Sequence, residues 1–92
     1  MKTPISIILA EDDEDDRLFF QDALHELDIS TQLTMVSDGE ELMELLETTD
    51  LEPSHVLFLD INMPRKSGLD CINEIKHNAK LEAAYHCVLH LL

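Results

Sequence analysis

The chain has 92 residues, which is enough for one small domain and too few for two separate hydrophobic cores. Its 20 acidic residues against 6 Lys and Arg give a net charge of −14, which argues against direct binding to nucleic acids or anionic membranes and favours metal ions or basic partners. The first apolar run, Ile5–Ala10, is too short for a secretory signal or a membrane span, so we predict a cytoplasmic protein.

Short apolar runs alternate with longer amphipathic stretches along the chain, a pattern typical of strands connected by helices. The run Ile5–Ala10 is rich in β-branched residues and predicts a central parallel strand. Residues 15–27 repeat apolar positions at helical spacing behind a group of acids, which favours a helix N-terminus there. Residues 32–36 predict a second strand near a sheet edge, and residues 37–39 predict a turn.

The middle of the chain repeats this alternation. Residues 40–48 place Leu and Met on one helical face and Glu on the other, which predicts a second helix. Residues 55–61 form an apolar run of strand length with an acid, Asp60, near its carboxyl end, and they predict a third strand. A loop follows, because Pro64 disfavours helix before it and Gly68 permits unusual backbone angles.

The last third of the chain predicts a third helix and one undecided element. Residues 68–77 have helical spacing, whereas the final run 85–92 fits either a fourth strand or the start of a helix. Together these elements predict an α/β fold with a doubly wound open parallel sheet, containing about four strands and three helices in one domain over residues 1–92.

Acidic residues follow two of the predicted strands. Glu11, Asp12 and Asp13 come directly after the first strand, and Asp60 ends the third. The carboxyl ends of parallel strands meet at one rim of the sheet, so these carboxylates are expected to repel each other and to require a cation. A site of carboxylates open to water favours Mg²⁺, and without metal one carboxylate should have a raised pKa.

Simpler interpretations of these acids exist. The run from Glu11 to Asp16 also fits a solvated segment that caps the first helix, and Asp15 and Asp16 keep that interpretation. Asp60 fits a strand-terminal turn residue, although an acid that follows the apolar run Val56–Leu59 is costly unless it reaches a rim or a partner.

Four blocks of the sequence form a recognisable pattern, at residues 8–13, 37–41, 57–64 and 68–70. Together they resemble the receiver domain of bacterial response regulators. The Asp-x-x-Met-Pro-x-x-x-Gly pattern that begins at Asp60 is the most specific part of the resemblance, and the acidic pair alone is weak. The resemblance covers residues 5 to about 82 and implies a flavodoxin-like fold. The long stretch before the third strand is most similar to single-domain regulators that partner phytochrome-type histidine kinases.

The resemblance implies the roles of the site residues. Asp60 would accept a phosphoryl group from a histidine kinase, and the cofactor would be Mg²⁺. The implied ligands of the metal are Glu11, Asp12, Asp60 and the backbone carbonyl of Asn62. Pro64 and Gly68 would shape the loop. The domain would signal by docking an unknown downstream protein, with no enzymatic activity beyond self-phosphorylation and autodephosphorylation.

The sequence departs from this family in two respects. Receiver domains have Ser or Thr at the end of the fourth strand, and in this chain that position falls near His90. They also have a Lys at the end of a fifth strand, whereas the last lysine here is Lys80, which precedes the fourth strand. We therefore expect a domain truncated after the fourth strand, without the fifth βα unit, in which Mg²⁺ binding is weakened and phosphorylation is slow or absent. Homo-oligomers are expected through the exposed edge strand or the first helix around Phe19 and Phe20.

Two alternative functions stay open at this point. One is an interaction or dimerisation module that is impaired in phosphorylation. The other is a Mg²⁺-dependent phosphatase of the haloacid dehalogenase type, which also places a nucleophilic Asp after an apolar strand. That family requires a second Asp two residues later, where this chain has Asn62.

Overall fold

The computed structural model describes residues 4–48, 55–79 and 85–90, with His55 and residues 85–90 described through their backbone. Strands and helices alternate along the chain as predicted. Their bounds are β1 Ile5–Ala10, α1 Glu14–Glu26, β2 Thr31–Val36, α2 Gly39–Thr48, β3 His55–Asp60, α3 Gly68–Lys76 and β4 Tyr85–His90. The predicted break at residues 50–54 lies outside the described residues.

The final apolar run forms a strand. Residues Tyr85–His90 pair with β3, which resolves the choice between strand and helix that the periodicity left open. Residues 91 and 92, which the prediction included, lie outside the described part of the chain.

The described strands form one parallel sheet in the order β2-β1-β3-β4. Because β2 lies on one side of β1 and β3 on the other, the chain reverses its direction of travel across the sheet between β1 and β3. This reversal opens a crevice at the carboxyl ends of β1 and β3, where ligands bind in folds of this class. The predicted doubly wound α/β fold is confirmed.

The two faces of the sheet are buried by different helices. One face carries Ile8 and Ala10 from β1 and Leu57 and Leu59 from β3, which form a single buried cluster with side chains of α2 and α3. The α2 and α3 members are Leu42, Met43, Leu46, Cys71 and Ile75. Adjacent β1 residues point to the opposite face, since side chains alternate along a strand. This packing fixes the two strands that carry the candidate site.

The opposite face is covered by α1, which contains no fully buried residue. Phe20 packs edge-to-face against Phe58 of β3, with ring centroids 5.0 Å apart. Phe19 is 77% exposed. Of the two rings that the sequence placed on the exposed face of this helix, Phe19 is therefore exposed and Phe20 is partly covered by Phe58, a contact that helical spacing does not predict.

Acidic and hydroxyl side chains cap the helices at the rim where the site lies. Asp13 accepts a hydrogen bond from the Asp16 amide at the start of α1, and Asp38 accepts one from the Glu41 amide at the start of α2. Ser67 caps α3 through the Asp70 amide. Each cap satisfies an amide that the helix itself leaves unpaired. No helix in the described residues has the length and apolar character needed to cross a membrane.

The buried cluster predicts a position-dependent cost for removing one methylene group. Ile75→Val, at a side chain that is 3% exposed, should lower the free energy of unfolding by about 1 kcal/mol. Ile29→Val removes the same group where the side chain is 52% exposed and should change it by less than about 0.5 kcal/mol. Urea denaturation measures both, and equal effects would contradict this placement of the core.

Candidate metal centre

Three carboxylates meet where β1 and β3 end. Ala10 of β1 pairs in register with Leu59 of β3, so the next residues, Glu11 and Asp60, end neighbouring strands side by side. Asp12 follows Glu11, and one carboxylate oxygen from each of the three residues lies within 4.8 Å of the others. We call Glu11, Asp12 and Asp60 the acidic cluster. The cluster occupies the crevice at the reversal of strand order.

The members of the acidic cluster differ sharply in exposure. Glu11 is 1% exposed and Asp60 is 5% exposed, whereas Asp12 is exposed to solvent. One oxygen of Asp60, Oδ1, accepts a hydrogen bond of 3.1 Å from the backbone amide of Asn62. Neither carboxylate oxygen of Glu11 has a hydrogen-bond partner in the described residues. The cluster is therefore a buried pair with one member that faces water.

The backbone of Glu11 is fixed on both sides. Its amide donates to the Val36 carbonyl of β2 at 3.0 Å, which continues the sheet pairing beyond the end of β1. Its carbonyl accepts a hydrogen bond of 2.8 Å from the Arg17 guanidinium of α1. The sequence pattern did not indicate this role of Arg17, because the contact depends on how α1 packs against the sheet.

The Glu11 carboxyl has a pKa of about 9, raised from an ordinary value of 4.5. Burial is the largest cause, and a proton shared with Asp60 or Asp16 and the charges of those two carboxylates add to it. Ionised carboxylates have no proton to donate to one another. The missing hydrogen-bond partners of the Glu11 oxygens and the raised pKa of Glu11 therefore both follow from its burial among other acids. Asp16, which the sequence analysis left as a solvated residue, thus contributes to the electrostatics of the site.

A cation fits this arrangement. The two orphaned oxygens of Glu11 are buried beside Asp60, and a positive ion would stabilise both in their ionised forms. Carboxylate oxygens with one side open to water suit Mg²⁺, which keeps several of its water ligands. The group of acids expected from the sequence is present without Asp13, whose side chain caps α1 instead.

The loop after Asp60 follows the rim closely. The Gly68 amide donates to the Ile61 carbonyl at 3.0 Å, and a Cβ atom on Gly68 would overlap the carbonyl oxygen of Asp60. The Pro64 carbonyl accepts the Lys66 amide at 2.7 Å. Asn62 is exposed, and its amide is the group that contacts Asp60. The predicted loop residues Asn62, Pro64 and Gly68 therefore all belong to the segment that surrounds Asp60.

The backbone register also locates the end of β4. His90 is the register partner of Asp60 across β3 and β4. This is the position that counting from Asp60 in the sequence assigned to a Ser or Thr in receiver domains.

Residues 7–86 match the family described as the response regulator receiver domain. The chain belongs to this family. The match spans the acidic cluster, the loop after Asp60 and the start of β4, and it decides in favour of the receiver domain over the phosphatase alternative. Receiver domains of this family are signalling domains.

Two curated proteins are similar to this chain in sequence. The chain is 28% identical over 85 residues to a probable chemotaxis protein CheY of Rhizobium etli, covering 92% of this chain and 63% of that protein. It is 32% identical over 83 residues to the response regulator Rcp1 of Synechocystis sp., covering 86% of this chain and 56% of that protein. The chain thus spans less than two thirds of the length of either relative.

Solved structures give the same result for the fold. The phosphorylated cyanobacterial phytochrome response regulator RcpA superposes with a TM-score of 0.85 at 27% identity, covering 97% of this chain and 66% of that one. The Mn²⁺-bound form of Rcp1 superposes with a TM-score of 0.83 at 28% identity, covering 96% and 66% of the two chains.

The raised pKa of Glu11 predicts how the metal-free domain responds to pH. The folded protein holds a proton on Glu11 that the unfolded chain releases above 4.5. The free energy of unfolding in EDTA should therefore fall as the pH rises from 4.5 to about 9, by at most roughly 1.4 kcal/mol per pH unit for one proton.

Urea unfolding across this pH window measures the effect. Glu11→Gln should flatten the curve, whereas Glu44→Gln, the same substitution at an exposed position on α2, should leave its slope unchanged. A wild-type curve no steeper than that of Glu11→Gln would contradict the assignment of the proton to Glu11.

Proposed function

We propose that this domain is cytoplasmic and that it receives a phosphoryl group on Asp60 from the phosphohistidine of a sensor histidine kinase. Glu11, Asp12, Asp60 and the backbone carbonyl of Asn62 would hold the Mg²⁺ ion that the reaction requires. Pro64 and Gly68 would shape the loop that carries Asn62. Family membership supports the general role, and the acidic cluster supports the choice of residues.

One observation carries the proposal, namely the two unpaired oxygens of buried Glu11 beside Asp60. A buried carboxylate without a donor is costly in a domain of this size, so its position requires a compensating interaction. A divalent cation provides that interaction. The named relatives support this interpretation, because one structure is of a phosphorylated response regulator and another is of a Mn²⁺-bound one.

The proposed reaction transfers one phosphoryl group. A carboxylate oxygen of Asp60 attacks phosphorus, a P–O bond forms, and the P–N bond to the kinase imidazole breaks. The imidazole keeps the electron pair of the broken bond and takes a proton from solvent. When bound, Mg²⁺ neutralises the carboxylates and the phosphoryl oxygens. The backbone amide of Asn62 donates to Asp60 Oδ1 and so holds one carboxylate oxygen, which leaves Oδ2 as the proposed nucleophile.

The rate of this transfer depends on groups around the phosphoryl oxygens. At the end of β4, beside Asp60, the chain has His90 where a hydroxyl residue is usual in the family. We therefore propose transfer that is slower than in receivers with Ser or Thr at this position. A phytochrome-type kinase is the proposed donor, supported by the relationship to Rcp1 and RcpA, and the output is proposed to be docking of a downstream protein.

Acetyl phosphate tests the phosphoacceptor directly, because it donates a phosphoryl group without a kinase. Intact-mass spectrometry should show slow addition of one phosphoryl group that needs Mg²⁺ and is lost in Asp60→Asn. Asp22→Asn, an exposed acid of α1 outside the acidic cluster, is the matched control and should be labelled like wild type. Labelling that persists in Asp60→Asn, or that is unchanged when EDTA removes Mg²⁺, would refute the assignment of Asp60 as the phosphoacceptor.

A second role, self-association, is favoured by one observation. Phe19 is 77% exposed on α1, and Leu18 beside it is 52% exposed, so the helix presents apolar area that a monomer leaves in water. We propose that this face of α1 contacts a second copy of the chain. The net charge of −14 opposes such contact, and salt weakens that opposition.

Light scattering at several protein and salt concentrations tests self-association. Wild type should form dimers at high concentration, more so as salt increases, and Phe19→Ser should shift the equilibrium toward monomer. Leu69→Ser removes a side chain of α3 that is 51% exposed and should have no such effect. A wild-type monomer under all these conditions would contradict the proposed dimer.

A further inference from the structure

The loop after Asp60 is in close contact with the start of α2, a region outside the acidic cluster. Gly39, the first residue of α2, is buried, and a Cβ atom there would overlap the Lys66 carbonyl oxygen. The same atom would lie 2.6 Å from the Lys66 side chain and 2.7 Å from its carbonyl carbon. Only glycine fits at this contact, so the backbone of α2 directly limits where the loop can lie.

Arg65 adopts a strained conformation in this loop. Its φ angle is 69°, in the left-handed region that non-glycine residues rarely adopt. The Lys66 amide donates to the Pro64 carbonyl at 2.7 Å and closes a three-residue turn around it. Such a conformation persists only where the surroundings hold it.

The side chain of Arg65 supplies part of that hold. Its Nε lies 3.8 Å from Asp38 Oδ2 and its guanidinium lies 3.9 Å from Glu40 Oε2. Asp38 also caps α2 through the Glu41 amide, so the cation is anchored to the fixed first turn of that helix. The Arg65 side chain is 67% exposed, so each ion pair contributes little free energy. Both pairs nevertheless direct the side chain toward the start of α2.

The opposite side of the turn is held by α3. Lys66 Nζ lies 2.6 Å from Glu74 Oε1, and the buried Cys71 thiol contacts the Gly39 carbonyl at 3.6 Å. Gly39, Arg65, Lys66 and Cys71 thus form one junction between α2, the loop and α3, which we call the loop junction. The loop junction fixes the outer end of the loop independently of the acidic cluster.

The inner end of the loop is fixed at Asp60. The Asn62 amide donates to Asp60 Oδ1, and the Gly68 amide donates to the Ile61 carbonyl, so the loop is closed at its base. Few residues separate this base from the strained turn at Arg65. A shift of the turn therefore displaces the Asn62 amide and carbonyl, which contact Asp60 and are proposed to contact the metal.

We infer that Gly39 and Arg65 are positioning residues, which hold the loop so that Asn62 orients the carboxylate of Asp60 for phosphoryl transfer. This inference rests on the proposed function. It places a determinant of reactivity on α2, a helix that contributes nothing to the acidic cluster. The two residues act differently, since Gly39 acts through its missing side chain and Arg65 through its charge.

The test combines labelling kinetics with a measurement that needs no reaction. Initial rates with acetyl phosphate, taken over a range of Mg²⁺ concentrations, separate the maximal rate from the metal requirement. Hydrogen exchange of the Asn62 and Gly68 amides reports the loop conformation directly. The variants are Gly39→Ala, Arg65→Gln, Arg65→Lys, Asp38→Asn and Glu44→Gln. Asp38→Asn retains a side-chain oxygen for the helix cap, and Glu44→Gln is the charge-matched control elsewhere on α2.

Gly39→Ala should lower the maximal rate by about tenfold or more and speed exchange of the Asn62 amide. Arg65→Gln and Asp38→Asn should each lower it by about threefold, their combination should cost no more than either alone, and Arg65→Lys should restore most of the rate. Glu44→Gln should match wild type. If circular dichroism shows that Gly39→Ala does not fold, the comparison of Arg65→Gln with Arg65→Lys decides whether the positioning role holds.

Different failures have different meanings. Unchanged maximal rates in folded Gly39→Ala and Arg65→Gln, with wild type labelled on Asp60, would overturn the positioning role and leave the proposed function intact. Loss of stability without a change in rate would do the same. If wild type is not labelled at all, the proposed function fails, and amide exchange alone decides the inference: unchanged protection of Asn62 and Gly68 would overturn it.

Discussion

Burial of Glu11 beside Asp60 is the constraint on which the rest of this site depends. Both side chains are almost completely buried, and parallel pairing of β1 with β3 places them side by side. Burial and the neighbouring carboxylates raise the pKa of Glu11 to about 9, so the metal-free protein holds a proton where the metal-bound protein would hold a cation. The same burial favours a cation at this position, because a positive ion would stabilise both carboxylates in their ionised forms.

The fold keeps these charges together by fixing backbone on every side of them. Glu11 is held by the hydrogen bond that its amide donates to the Val36 carbonyl and by the one that its carbonyl accepts from Arg17. The backbone amides of Asn62 and Gly68 hold the loop after Asp60. Because both carboxylates lie on strands packed into one buried cluster, neither can move away from the other without loss of core contacts. A rigid scaffold therefore keeps an unfavourable arrangement in place, as is common at sites that bind ligands.

The sequence predicted much of this arrangement because strand length and strand-terminal acids are local features. The apolar runs before Glu11 and Asp60 indicated two strands, and parallel strands bring their carboxyl ends to one rim. Contacts that depend on packing angles were not predicted. Asp16 beside Glu11, the ring contact of Phe20, and the approach of Gly39 to Lys66 join elements whose relative placement no periodicity encodes. The final run was too short for periodicity to distinguish a strand from a helix.

The central claim is that the acidic cluster is a specific metal site and not a part of a diffuse anionic surface. Paramagnetic broadening by Mn²⁺ tests it most directly, because amide signals weaken steeply with distance from the bound ion. Substoichiometric Mn²⁺ should first broaden the amides of residues 11–13 and 60–62, and excess Mg²⁺ should reverse the effect. Broadening that begins on the exposed glutamates of α2, or that spreads evenly over the acidic surface, would contradict the account.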